Sequence, residues 1–365
     1  MDHSLIVRIE EIHISGAFPW IGPGLVDCQV NGYRGIDFND VPPTVAEVTA
    51  GIQALWRDGV TSFMPTIITH PLEQTVELAR AWNRSDVPSS VRESIVGLHL
   101  EGPFISCEEG PKGAHEARWV CPPRIDLIER CQEASGGLVR LITLSPHWRG
   151  TSEFIAAATS RGVVVAIGHT AAHESQIRQA VEAGATLSTH LGNGTHAVLP
   201  RHPNYIWDQL AEDRLWASII GDGFHLPWNV LKVILRVKQH RVYLVSDAVA
   251  LTGCAPGRYR TSVGGEVSLH ENGKLSMGGE ESTTLAGSAT PLKDAVARMV
   301  YQELGGLHTI WDMASRRPSM FWNLPARAGL AVGAPADLVL FEYAHGTIDI
   351  CQTIKGGCLV YQRIS

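Results

Sequence analysis

Four short strings each set one metal-competent or proton-accepting side chain at the end of an apolar run. They are HLEGPF (99–104), IGHT (167–170), STHLGNGTH (188–196) and LVSDA (244–248), and the residues are Glu101, His169, His190 and Asp247. Imidazole nitrogen and carboxylate oxygen are the donors that zinc-class cations take, and a catalytic site of this kind keeps one position for water. Glu101, His169 and His190 would make a three-ligand set. Asp247 would add a carboxylate able to take a proton from that water. Any one of the four could be an ordinary polar residue closing a strand. Together they form a hydrolase constellation, but they are far apart in sequence and only a fold can bring them together.

The elements that would do so can be read along the chain. Apolar, β-branched runs occur at 24–32, 60–67, 95–104, 139–146, 162–170, 185–191, 216–226 and 242–248, which makes eight strand candidates. Segments between them read as helices, so the pattern is β/α and the sheet parallel. Residues 44–59 are the plainest case: Thr44 and Glu47 make a capping box, Val45, Val48, Ile52, Leu55 and Trp56 form a stripe, and Gly59 stops it. Residues 71–85, 123–135, 152–161, 173–183 and 226–239 also read as helices, with 291–304 and 308–323 following the eighth strand. Trp56, Trp82 and Trp311 sit on these helix patterns as packing residues. The expected fold is an α/β (β/α)8 barrel, in which all strand ends meet at one mouth.

The ends of the chain differ from its middle. Residues 1–22 and 327–365 carry short strand-like runs and predict a small β-sandwich module beside a barrel spanning 23–326. Residues 256–285 predict a β-rich insertion after the eighth strand, with Asn272-Gly273 as its hairpin turn. A net charge of −7 without a basic run argues against a nucleic-acid partner. No apolar stretch approaches the roughly 18 residues needed to cross a bilayer, so no membrane partner is expected. The seven cysteines form no C-x-x-C pair. Reduced thiols and a cytoplasmic location fit best, with no signal peptide evident.

The chain resembles the N-acetylglucosamine-6-phosphate deacetylase family of the amidohydrolase superfamily. The strings EGPF, KGAH, GHT, THL-x-N and DG-x-H occur in that family's order, between PGLVDCQVNG and ADLVLF. The resemblance implies that Glu101, His169 and His190 hold the metal and that Asp247 is the general base and acid. It implies that Ala114 and His115 bind substrate, with His115 helping to hold and polarise the acetamide. Asn193 and Gly194 would contact the sugar phosphate, His225 would be another substrate-contacting histidine, and Leu285, Ala286 and Gly287 would close over the sugar. Arg201 falls where relatives place a phosphate-binding arginine, donated in some of them by a partner subunit. A homodimer is implied with it. Where many amidohydrolases carry H-x-H on the first strand, this chain has Gln29-Val30-Asn31. Amides bind such cations poorly compared with imidazole. One divalent metal, zinc, is therefore expected, with Gln29 and Asn31 serving as barrel-mouth hydrogen-bonding groups.

The reaction implied is hydrolysis of N-acetyl-D-glucosamine 6-phosphate to D-glucosamine 6-phosphate and acetate, with a metal-held water as nucleophile. Two rivals stay open from the residues alone. One changes the substrate: N-acetylgalactosamine 6-phosphate, an unphosphorylated sugar or an N-acyl amino acid. The other is a sugar-binding barrel without catalysis. The loop after His190 bears on this choice, because GNGTHAVLPRHPN adds His196 and His202 and a Gly-rich backbone that could approach a phosphate. His147 reads as a structural strand-end residue. His99 reads equally as support for Glu101 or as barrel core. Asp222 is expected to support His225 or its loop, and Asp27 to orient the end of the first strand.

Overall fold

Eight parallel strands carry the site, and their shared register explains why it can form. We describe residues 4–10, 18–84, 86–261, 265–278 and 285–364 of a computed structural model. The barrel strands are Leu25–Val30, Val60–Ile67, Leu98–Glu101, Val139–Leu144, Val164–Ile167, Leu187–Ser188, Trp216–Ile220 and Val242–Val245. They pair in chain order in one eight-stranded sheet. Closure between the first and eighth is made by a parallel bridge, Val30 to Ala248, with the Asn31 N–H donating to the Ala248 carbonyl at 2.7 Å.

The alternation of side chains divides the barrel into layers. Val26, Cys28, Met64, Leu141, Ala166, Leu187, Ile220, Tyr243 and Val245 fill the interior, and Trp322 and Leu324 pack onto the same cluster. Each fully buried aliphatic or aromatic side chain of this kind contributes roughly 1.5–3 kcal/mol. Two residues further along their strands lies a polar belt. His99 Nε2 meets Thr143 Oγ1 at 2.7 Å, His99 Nδ1 meets Thr66 Oγ1 at 3.4 Å, and Thr143 meets Thr189 at 2.7 Å. His99 is thus a satisfied barrel-interior residue, with burial pushing its imidazole down to about 4. The next step along the third strand is Glu101, at the mouth.

The helices follow the expected pattern in the main, with an unexpected short one at Ser89–Glu93. Val45–Arg57 has its complete Thr44–Glu47 capping box. The helix expected over 308–323 is instead two, Leu307–Met313 and Arg316–Phe321. Pro318 lacks an N–H and its ring would strike the carbonyl four residues back, at Ala314, so the chain breaks there and restarts. Tyr205–Ala211, between the sixth and seventh strands, is a helix that the apolar pattern did not predict. Asn204 caps it, its side chain accepting from the Ile206 and Trp207 N–H groups.

Among the described residues, the terminal module is one antiparallel sheet in the order Trp20–Pro23, Leu338–Ala344, Thr347–Lys355, Cys358–Gln362. Residue Leu5 adds a bridge to Pro335. Val339, Phe341, Ile348 and Ile350 of this sheet join the same hydrophobic core as the barrel helices, and Phe341 stacks on Trp311 at 4.0 Å. The insertion forms a three-stranded sheet, Gly257–Thr261, Gly265–Leu269 and Leu275–Met277. Its Asn272-Gly273 turn closes through the His270 N–H to Lys274 carbonyl bond. Residues 1–3, 11–17, 262–264 and 279–284, parts of the expected module and insertion, lie outside the described residues. No helix among those described is long and apolar enough to cross a membrane.

Candidate active site

At the mouth, Glu101, His169 and His190 converge on one point. Glu101 Oε1 lies 3.2 Å from His169 Nε2 and 2.8 Å from His190 Nε2, and the two Nε2 atoms are 3.0 Å apart. All three residues are buried. His169 Nδ1 donates to the Pro111 carbonyl at 2.8 Å. That bond fixes the tautomer, so a neutral His169 turns its Nε2 lone pair toward the carboxylate oxygen and the second imidazole. A carboxylate oxygen and two imidazole nitrogens at this spacing suit a shared cation. Ligands about 2.0–2.1 Å from a tetrahedral cation stand roughly 3.3 Å apart, close to the spacing found here. The donor set therefore fits a zinc-class ion, and these residues could hold one. Burial alone would push the Glu101 carboxyl up, but the hydrogen bonds and charge of His169 and His190 hold it well below the usual carboxylate range. Burial likewise opposes protonation of His190, and the bond to Glu101 outweighs it and raises the imidazole.

His115 stands beside this cluster. One ligand atom each from Glu101, His115 and His169 would also lie within 4.8 Å of one another. The hydrogen bonds of His115 argue for a different use. Its Nδ1 accepts from the Thr69 backbone N–H at 3.3 Å and from the Thr69 hydroxyl at 2.8 Å. A backbone N–H can only donate, so Nδ1 carries the lone pair and Nε2 carries the hydrogen. Burial, then the neighbouring His169, push the ring down to about 3. His115 is a neutral N–H donor, suited to a carbonyl oxygen.

Asp247 and the two amides of the first strand complete the arrangement. The first strand shifts register between Asp27 and Val30, which turns Gln29 and Asn31 into the mouth. Gln29 Nε2 donates to Glu101 Oε1 at 2.9 Å, and Asn31 Nδ2 donates to Asp247 Oδ1 at 2.7 Å. The positions that would carry H-x-H therefore orient the carboxylates instead. Burial, then repulsion from Glu101, raise Asp247 to about 6. Asp27 Oδ1 accepts from the Ser246 N–H at 3.1 Å and ties the first strand to the eighth, as expected of a residue orienting that strand's end.

Backbone geometry explains why several strands end where chemistry begins. His169, His190 and Asp247 have φ of 48°, 28° and 50°. Non-glycine residues seldom adopt this left-handed region, and such strain clusters at functional sites. The turns end the ladders earlier than an apolar run suggests, so the strands over 162–170, 185–191 and 242–248 are shorter than expected.

A cavity of about 370 Å³ opens over the cluster. Ala114, His115, Asn193, Gly194, His225, Leu285, Ala286 and Gly287 all line it with Glu101, His169, His190 and Asp247. His225 Nδ1 meets Asp222 Oδ2 at 2.7 Å, and Asp222 Oδ1 accepts the Phe224 and His225 N–H groups. Asp222 thus supports both the histidine and its loop. Asp37, Asn39, Ile68 and Thr261 also line the cavity and carried no motif signal.

Beyond Gly194, the loop after His190 does not line the cavity. Arg201 is exposed and does not line its own chain's cavity. Its carbonyl is held by Asn204 and by the Trp207 indole, which keep the loop turned outward. No Lys or Arg lines the cavity among the described residues. Gly194, at φ 57°, has no room for a side chain: a Cβ there would meet His169 Nδ1 at 2.7 Å. His196 braces the loop, meeting Tyr205 at 2.9 Å and Glu108 at 3.1 Å. His202 is exposed, and His147 is bonded to Ser145 at 2.6 Å.

The chain matches the amidohydrolase family over residues 20–360. This chain belongs to the amidohydrolase family. It is 32% identical over 356 residues to the N-acetylglucosamine-6-phosphate deacetylase of Bos taurus, covering 94% of this chain and 83% of that protein. The enzyme of that name from Bacillus subtilis (strain 168) is 28% identical, covering 87% and 79%. Among solved structures, N-acetyl-D-glucosamine-6-phosphate deacetylase from Mycobacterium smegmatis superposes with a TM-score of 0.86 at 28% identity, covering 99% of this amidohydrolase and 94% of that chain. A mutant of the Mycobacterium smegmatis enzyme in complex with N-acetyl-D-glucosamine-6-phosphate gives 0.81 at 30% identity, covering 93% and 86%.

Proposed function

We propose that this amidohydrolase removes the acetyl group from N-acetyl-D-glucosamine 6-phosphate, giving D-glucosamine 6-phosphate and acetate. The observation that carries the reading is the convergence of Glu101 Oε1, His169 Nε2 and His190 Nε2 within 3.2 Å of one another at the mouth that Asp247 shares. Glu101, His169 and His190 would hold one divalent cation, zinc. Gln29 and Asn31, already engaged as amide donors, support one rather than two. Zinc bound there supplies Lewis acidity, making water a nucleophile near neutral pH and an amide carbonyl a better electrophile.

The chain's own residues do the rest. Asp247 takes the proton of the attacking water and returns it to the amide nitrogen as the C–N bond breaks, so acetic acid and a neutral amine leave, the acid then ionising to acetate in water. His115 donates its N–H to the acetyl oxygen as negative charge develops there. Ala114, Asn193, Gly194, His225, Leu285, Ala286 and Gly287 enclose the sugar. The cavity's lack of Lys and Arg supports a phosphate cation from outside it, with Arg201 reaching over from a second copy in a cytoplasmic homodimer.

The test is acetate release by zinc-loaded protein from N-acetylglucosamine 6-phosphate, its galactosamine isomer, the plain N-acetylhexosamines and N-acyl amino acids. The glucosamine phosphate should have the highest kcat/KM. One equivalent of zinc without hydrolysis of any of these would make the protein a binding barrel instead.

A further inference from the structure

Asn39 belongs to none of the four strings, yet its side chain is 3% exposed and fully used. Nδ2 donates to the Asn31 carbonyl at 3.2 Å and to the Thr66 carbonyl at 3.0 Å, and Oδ1 accepts the Ile68 N–H at 2.9 Å. Its own N–H donates to Asp37 Oδ1 at 2.8 Å. One amide therefore ties together the mouth ends of the first and second barrel strands.

The residue it holds most directly is Asn31. The Asn31 carbonyl also accepts the Phe38 N–H at 3.0 Å, and the Asn31 N–H donates to Ala248 at 2.7 Å across the barrel closure. With its backbone fixed on both sides, Asn31 sends Nδ2 to Asp247 Oδ1 at 2.7 Å. Its Oδ1 is buried without a partner among the described residues. Leaving such an acceptor unpaired costs stability. Turning the amide over would aim that oxygen at a carboxylate. The orientation is thus set by Asp247 and costs stability, as expected of a group kept for function.

We propose that Asn39 is a positioning residue for proton transfer: it holds Asn31 so that Nδ2 occupies Asp247 Oδ1 and leaves Oδ2 as the oxygen that carries the proton. This rests on Asp247 being the base. The amide does not touch the reacting atoms in this role. It acts through one strand end and one hydrogen bond, so its loss lowers turnover without removing a metal ligand.

The experiment is a kinetic cycle on zinc-loaded enzyme with Asn31→Ala, Asn39→Ala and the double variant, alongside Asp247→Asn. Asn39→Ala should lower kcat about tenfold and shift KM less than about twofold, with one equivalent of zinc retained. The double variant should lose no more than Asn31→Ala alone, because both act on one bond. Asn39→Ser, which keeps one hydroxyl for a carbonyl, should fall between and serves if Asn39→Ala folds poorly. Parental kcat in folded, zinc-loaded Asn39→Ala or Asn39→Ser overturns the proposal, as do additive losses or a defect cured by added zinc. Near-parental turnover of Asp247→Asn instead removes the base assignment itself, whatever Asn39 does.

Discussion

Asp247 must accept a proton in one half of the proposed reaction and release it in the other, so its ionisation sets the acid limb of activity. Burial, then Glu101, raise it from the ordinary 3.8 to about 6. A base works when ionised, so turnover should be lost as pH falls through that value. A divalent cation beside Glu101 pulls the limb lower still. Initial rates against pH should show an inflection at or below about 6; one near 8 would place the proton acceptor elsewhere. Asp247→Asn should keep its zinc and lose roughly 10²–10⁴ in kcat, the usual contribution of a general base, measured by single-turnover acetate release. Gly194 makes a different demand on the same cluster. Its positive φ and the 2.7 Å approach to His169 Nδ1 leave no room for a Cβ. Gly194→Ala should displace the imidazole and weaken zinc binding roughly 10- to 100-fold, the scale of losing a group that orients a ligand. Competitive titration with a chromogenic chelator measures it, and unchanged affinity would free Gly194 from that role.

The first strand and its junction with the eighth show what one element contributes. Asp27 sits at that junction, buried, with one oxygen on the Ser246 N–H and the other without a partner among the described residues. Burial, only partly offset by Ser246, raises it to about 7. A folded value above the unfolded one means that the folded chain holds the proton more tightly. The stabilisation is full below about pH 4 and is lost as pH rises through 7. Asp27→Asn should therefore flatten the fall in stability between these limits and gain relative to the parent at pH 8. Urea midpoints of both proteins at pH 5 and 8 decide it, and an equal parent–variant difference at the two pH values would sink it. Such elements were only partly legible beforehand. The Thr44–Glu47 box and its apolar stripe are local and read directly from the chain. Glu101, His169, His190 and Asp247 could be picked out because each ends an apolar run. What Gln29 and Asn31 hold was not legible, since the bond from Asn31 spans 216 residues and depends on a register shift. Asn39 carried no motif, and the capped helix Tyr205–Ala211 was hidden among prolines.

At the scale of the molecule, one chain supplies three carboxylates to the cavity, Asp37, Glu101 and Asp247, and among the described residues no Lys or Arg. A dianionic phosphate bound by one copy alone would meet no fixed cation. Arg201, exposed on the outward-turned loop, is the cation proposed to come from a second copy, and this makes a prediction that no single-chain account shares. Arg201→Ala homodimers should lose kcat/KM for the 6-phosphate sugar while the plain sugar changes little. Asp247→Asn homodimers should be inactive on both. In a mixed dimer, the chain carrying Arg201→Ala keeps its own Asp247 and receives an intact Arg201 from its neighbour, so one of its two sites is whole. Denaturing the two variants together, refolding with zinc and assaying the mixture should restore about a quarter of parental activity, because half the dimers are mixed and half of their sites are complete. Activity no higher than the average of the two variants would mean that Arg201 serves its own chain or none.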